Sequence, residues 1–234
     1  MYEIIADFER PDPKLVERAR DMYFCLAGGR VGPRQVMDPG IKALDRSWRI
    51  CGPALTVRPE YTHDLLMSQL AGKYVKPGDV VVIDAGGESR FAVFGASMSN
   101  GIKEMGGEGI VIDGYTLTAE VIRARENIAI FCRGTHSVSA KGELPGWINV
   151  PVICGGVIVY PGDLILGDED GVVVVPKAQI ADVIASVETD ARPRARDGSI
   201  EPRGANAVPY YRKSKAEEKV AALAADPKKK IKIR

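Results

Sequence analysis

The sequence predicts one α/β domain with parallel strands at its centre, and three observations point there. Val80-Val81-Val82-Ile83 and Ile110-Val111-Ile112 are unbroken aliphatic runs, the pattern of strands buried on both faces. Ala96 to Met105 reads as a helix between them, so the order is strand, helix, strand, which favours a parallel pair joined by a crossover. Ile180, Val183, Ile184 and Val187 recur at i, i+3, i+4, i+7, which marks an amphipathic helix over 177–189.

The remaining elements follow from local chemistry. Asp12-Pro13 opens a helix, because the aspartate caps free N–H groups and proline suits the first helical position. Gly28-Gly29 is expected to end that helix, with loop over residues 30–50. A strand is expected over Gly52–Arg58 and a helix over Asp64–Leu70. Pro77-Gly78-Asp79 is a turn into Val80, and Gly86-Gly87 reads as a glycine-bearing loop. Thr118–Arg125 is expected to be helical and Ile128–Cys132 extended. From Ile148 to Val175 short strands alternate with tight turns, Pro161-Gly162-Asp163 leading into Leu164 and Asp170-Gly171 into Val172. Residues 1–190 make the domain. Residues 191–234 make a Pro-, Gly- and Arg-rich arm, with a capping box at Ser214 and Glu217 before a short helix.

Composition excludes several classes. The chain has 234 residues, 45% of them hydrophobic, enough for a core that needs neither disulfide nor metal. Its 32 basic and 31 acidic residues leave a formal charge of +1, so no global field favours nucleic acid or an anionic membrane. Lys228, Lys229, Lys230, Lys232 and Arg234 form a basic tail, read as a solvated terminus or as an arm for an acidic partner. Four dispersed cysteines, an N-terminus unlike a signal peptide and no long apolar run imply a cytoplasmic protein with reduced thiols. Two histidines, His63 and His136, are too few for a histidine-rich metal site.

A series of short motifs then carries a resemblance from about Gly28 to Val187. They are Gly52-Pro53-Ala54-x-Thr56-Val57, His63-Asp64-Leu65, Pro77-Gly78-Asp79-Val80, Asp84-x-Gly86-Gly87 and Gly109-x-Val111-x-Asp113-Gly114. Arg133-Gly134, Asn149-Val150-Pro151-Val152, Gly155-Gly156, Pro161-Gly162-Asp163 and Gly167-Asp168-x-Asp170-Gly171-Val172 complete the set. In this order the chain resembles the RraA-like / 4-hydroxy-4-methyl-2-oxoglutarate aldolase family. The resemblance implies an α-β-β-α sandwich, a homotrimer or homohexamer, and a site at the subunit interface. One branch of that family holds divalent-metal aldolases and oxaloacetate decarboxylases. The other holds regulators that bind an RNA-degrading enzyme.

The resemblance also implies a site, and the chain departs from it. Aldolases of this kind hold the substrate carboxylate on main-chain N–H groups at a helix start, where free donors and the helix dipole meet an anion. The matching residues here are Gly95, Ala96, Ser97 and Met98, with alanine where the family has an acidic residue. The family's second motif ends in an arginine that neutralises the substrate and an aspartate that holds Mg²⁺ or Mn²⁺. Those positions are Leu117 and Thr118. Leucine can neither pair with a carboxylate nor bind a cation, and a hydroxyl is a poor ligand for a hard divalent ion. Thr118 is otherwise expected to cap its own helix, and Leu117 to pack.

Substitutes are at hand. Glu120 can act as a catalytic carboxylate or metal ligand, or simply favour the helix start. Arg123 can stand in for the lost arginine or be a solvated charge, and Arg90 can reach a substrate from beside the glycine loop. His136 and Asp113 are the acid–base candidates, against surface and turn roles, and Tyr115 joins them if the chemistry is of another class. The function read from this is a diverged carbon–carbon lyase on a small 2-oxo acid, taking a small carboxylate. The alternatives are a non-catalytic regulator or an enzyme of another class in the same cleft.

Overall fold

The computed structural model describes residues 2–124 and 128–190, and beyond them only 215, 216, 218, 219 and 222. The chain divides into two units, 1–194 and 195–234. The first unit carries helices α1 (Pro13–Arg20), α2 (Phe24–Val31), α3 (Leu66–Ala71), α4 (Ala96–Glu104), α5 (Ala119–Ala124) and α6 (Ile180–Asp190). Its strands are β1 (Lys42–Ala43), β2 (Ile50–Pro59), β3 (Val80–Phe94), β4 (Gly109–Thr116) and β5 (Ala129–Thr135). They continue with β6 (Gly146–Ile148), β7 (Val152–Cys154), β8 (Val157–Val159), β9 (Leu164–Asp168) and β10 (Gly171–Val175). In the second unit the described residues include a helical turn in which Lys219 N–H donates to the Lys215 carbonyl at 3.0 Å.

The strand order is β1-β5-β4-β3-β2-β9-β10, with β6 added to β2 and β7-β8 a separate hairpin. β2, β3, β4 and β5 run parallel, as the aliphatic runs require. β9 returns antiparallel on β2, and β10 on β9. Lys42 on β1 donates to the Asp170 carbonyl in the β9–β10 turn at 2.7 Å, so the two ends of the strand order approach each other.

Alternation along the strands sorts the side chains into layers. Val81, Ile83, Ile110, Ile112 and Ile130 face one way, against Met67 of α3, Ile102 of α4 and Ile122 of α5. Val80, Val82, Val111 and Phe131 face the other way, against Ile165, Val172 and Val174. Leu164, Leu166, Val173 and Val175 point outward again, onto Phe24, Ala27, Val183 and Val187 of α2 and α6. Helices, sheet, sheet and helices therefore stack in the expected α-β-β-α order.

Two glycine pairs behave differently from expectation. α1 stops at Arg20, and a second helix, α2, runs straight through Gly28-Gly29 to end at Gly32, whose φ is +85°. Gly28 is there for packing: a Cβ on it would lie 3.3 Å from Val173 Cγ2 of β10. Gly86-Gly87 is part of β3, where both residues have positive φ and shift the register between the Ile83–Ile112 and Glu88–Gly114 pairs. Glycine absorbs such a bulge without a Cβ clash. At the other end, Lys177–Gln179 forms a 3₁₀ turn and α6 begins at Ile180. The 191–213 arm, the Ser214–Glu217 box, Arg125 and the basic tail lie outside the described residues.

Among the described residues no helix is long and apolar enough to cross a membrane. Cys51, Cys132 and Cys154 are buried and Cys25 is exposed. Burial pushes the Cys51 thiol up to about 12 and that of Cys132 to about 11, and raises Cys154 well above the usual range. Thiolate is the reactive form, so a disulfide-exchange reagent should titrate one thiol per native chain quickly and all four in denaturant. Three fast thiols in the native protein would show that the core around β2 and β5 is open.

Candidate functional site

The helix start singled out by the motifs sits where β3 and β4 end side by side. Phe94 pairs with Thr116 in the parallel ladder, and Leu117 N–H donates to the Phe94 carbonyl at 3.0 Å. This register sets Gly95 and Ala96, at the start of α4, directly against Leu117 and Thr118. The first turn closes with Ser99 N–H on the Gly95 carbonyl at 3.0 Å, and the Ser99 hydroxyl on the Ala96 carbonyl at 2.8 Å.

One of the main-chain donors there already has a partner from within the chain. Ala96 N–H donates to Thr118 Oγ1 at 3.0 Å, and that hydroxyl donates to the Leu117 carbonyl at 2.6 Å. Thr118 therefore caps α4, 22 residues before it, rather than its own helix as the sequence suggested. It does so with φ at +57°, a conformation that a β-branched residue adopts only under tertiary constraint. Leu117 fills the adjoining space: a Cβ on Gly95 would meet Leu117 Cδ2 at 3.0 Å.

The other candidates are placed as follows. His136 N–H donates to the Thr116 carbonyl at 2.8 Å, so its backbone joins this corner. Its Nδ1 accepts the Val138 N–H at 3.0 Å. Tyr115 packs its ring against Gly134 nearby. Glu120 is exposed on the first turn of α5, and Ser97 on that of α4, while Met98 leans partly onto the core.

Three candidates are engaged elsewhere. Arg90 grips Glu88 with two bonds, Nε to Oε1 at 3.0 Å and Nη2 to Oε2 at 2.9 Å. That contact, with the Arg90 N–H, holds the Glu88 carboxyl down at about 2. Asp113 is 5% exposed. One of its oxygens accepts Arg133 Nε at 2.5 Å and the other the Gly155 N–H at 2.8 Å. It ties β4 to β5 and to the β7–β8 turn. Arg123 is exposed on α5, and its charge is felt by the Asp45 carboxyl in the loop before β2.

The implied metal can be tested against these donors. Leu117 offers none, and the Thr118 hydroxyl is already used twice. Among the described residues, no group of three His, Cys, Asp or Glu side chains is placed to hold an ion. Within one chain, these residues do not fit Mg²⁺ or Mn²⁺, which ask for several carboxylate or carbonyl oxygens. Nothing local in the chain signals the Arg133–Asp113 tie, since the two residues lie on different strands. Only the β4–β5 pairing brings them together.

Residues 22–174 match the family model described as RraA-like: Aldolase/RraA. The chain belongs to the RraA-like family. Among curated relatives of this RraA-like protein, one from Halalkalibacterium halodurans named "Putative 4-hydroxy-4-methyl-2-oxoglutarate aldolase" is 40% identical over 166 residues. The match covers 68% of this chain and 78% of that relative. A relative of the same name from Azotobacter vinelandii is 33% identical over 61% of this chain and 86% of its own length. Among solved structures, Streptomyces coelicolor RraAS2, described as an unusual member of the RNase ES inhibitor RraA protein family, superposes with a TM-score of 0.69. It is 34% identical, over 78% of this chain and 94% of that one.

Proposed function

We propose that this RraA-like protein is a binding member of its family, one that has given up metal-assisted carbon–carbon cleavage. The observation that carries this reading is Thr118. Its hydroxyl occupies the Ala96 N–H that would otherwise face a substrate carboxylate, and Leu117 packs where an arginine would neutralise it. Cleavage of a carbon–carbon bond next to a carbonyl leaves an enolate, which needs a cation or strong donors in the transition state. Leucine and an already bonded hydroxyl supply neither. The family's regulators, represented by the description of the Streptomyces neighbour, suggest the partner class: an RNA-degrading enzyme in the cytoplasm, met by a trimer or hexamer of this chain.

A second reading, a diverged lyase on a small 2-oxo acid, is favoured by the names of the two curated relatives. Glu120, exposed two residues after Thr118, adds a carboxylate near the same corner. Oxaloacetate decarboxylation, followed with and without Mg²⁺ or Mn²⁺, separates the two. The expected result is a rate no higher than that of the free cation. The double variant Leu117→Arg/Thr118→Asp should then raise it at least tenfold, by freeing the Ala96 donor and restoring both charges. Cation-dependent turnover by the wild type that Glu120→Ala abolishes would instead establish the lyase.

A further inference from the structure

We propose that the basic arm over residues 191–234 binds single-stranded nucleic acid. The formal charge of +1 conceals a division. Residues 191–234 carry 13 of the 32 basic residues and 5 of the 31 acidic ones, a net +8. Residues 1–190 carry the other 19 and 26, a net −7. Charge asymmetry of this size between two parts of a chain points to an anionic partner for the basic part. The arm also lies outside residues 22–174, which match the family model, so the family frame does not account for it.

Part of the domain's negative charge is turned inward. Asp64, Asp79, Glu88, Asp113 and Asp163 are all buried. Arginines hold three of them, Arg10 on Asp79, Arg90 on Glu88 and Arg133 on Asp113. Main-chain N–H groups hold the other two, those of Leu66 and Glu143 on Asp64 and those of Tyr160 and Lys177 on Asp163. These five carboxylates belong to the scaffold and are no free counter-charge. In the second unit, Lys215 and Lys219 stand one helical turn apart and both are exposed. Lys215 Nζ lies 3.9 Å from the exposed Glu218. An ion pair this open contributes about 0–1 kcal/mol, so a stronger anion can draw the ammonium away.

The residue types select among anions. Arg192, Arg194 and Arg196 alternate at the start of the arm, and Lys228, Lys229, Lys230, Lys232 and Arg234 form a second cluster. Basic runs of this density are the pattern of nucleic-acid patches, and the planar fork of arginine meets a phosphate with two bonds. Between the clusters, Tyr210-Tyr211 adjoins Arg212-Lys213. Aromatic faces beside cations stack on unpaired bases, which is worth about 1–3 kcal/mol per base. An anionic membrane instead asks for cations opposite a face of tryptophan, phenylalanine or leucine. The arm has one leucine, Leu223, and neither of the other two.

The test is fluorescence anisotropy of a labelled, unstructured RNA of about 20 nucleotides, and of the same sequence as DNA, titrated with the full chain. Saturable binding of either strand is expected, weakening about tenfold or more between roughly 50 and 200 mM salt as counterions are released. Lys228→Gln/Lys229→Gln/Lys230→Gln/Lys232→Gln and Arg192→Gln/Arg194→Gln/Arg196→Gln should each weaken it about tenfold and flatten the salt dependence, with circular dichroism unchanged. Tyr210→Ala/Tyr211→Ala should weaken it about fivefold or more at every salt concentration. The Leu117→Arg/Thr118→Asp variant, altered only at the α4 start, should bind as the wild type does. No saturation up to about 100 μM protein at the lower salt, the weak end of non-specific nucleic-acid binding, would overturn the proposal. So would binding that survives both charge substitutions. Polyglutamate bound as tightly as the RNA, or phosphatidylserine-containing vesicles bound more tightly, would overturn it by assigning the arm to an acidic protein or a membrane.

Discussion

Gly52→Ala is expected to lower the stability of the domain by more than about 3 kcal/mol, at or beyond the upper end of the cost of overpacking a well-filled core. A Cβ at this position would sit 2.1 Å from the Gly78 carbonyl oxygen and 3.2 Å from Val80 Cγ2. The obstacle is backbone, and the backbone cannot withdraw. Gly78 N–H is bonded to the Gly106 carbonyl at 2.9 Å. The next residue, Asp79, is fully buried and bonded to Arg10 Nε at 2.7 Å, Arg10 Nη2 at 2.6 Å and the Lys76 N–H at 2.8 Å. β2 passes so close to the turn because it pairs with β3 from Ala54–Val80 onward. Urea unfolding measures the effect. An unfolding free energy within about 0.5 kcal/mol of wild type, the usual scale for an uncrowded surface site, would mean that strand and turn stand further apart than described.

The second large effect is expected from Arg133→Met. Removing the guanidinium leaves Asp113, 5% exposed, with only the Gly155 N–H for its charge. Breaking one half of a buried ion pair costs about 3–5 kcal/mol. The Arg133 side chain retains 25% of its exposure, which puts the expectation near the lower end, about 3 kcal/mol. The same guanidinium also reaches Asp38 at 3.2 Å, so the β7–β8 turn and the segment before β1 should loosen together. Adding Asp113→Asn removes the stranded charge while keeping an acceptor for Gly155, and should recover at least half of the loss. A double variant no better than the single one would show that the pair acts through packing rather than charge.

Much of the fold was legible because its signals are local. Runs such as Val80–Ile83 leave a strand no polar face, so they announce a buried parallel centre before any contact is known. Ile180 to Val187 announce one helix face in the same way. Glycines were read less well. Gly28-Gly29 and Gly86-Gly87 look like stops in a sequence. One pair instead lets α2 approach β10, and the other lets β3 bulge and continue. A missing Cβ means the same thing locally whether it serves a turn, a bulge or a close approach, and only the neighbour tells which.

At the candidate site the division is similar. The sequence by itself determined that the charged pair of the resembled aldolases is absent, since Leu117 and Thr118 stand in its place whatever the fold does. It also determined the hydrophobic layers, through periodicities of two and near three and a half residues. Only the tertiary structure decided what became of the helix start. The Phe94–Thr116 register carries Thr118 to Ala96 and drives it into a positive φ, so that a side chain expected to serve its own helix closes another. The physical reason is range. Burial and helix periodicity are summed over adjacent residues, whereas a single hydrogen bond across 22 residues exists or not according to how two strands are aligned.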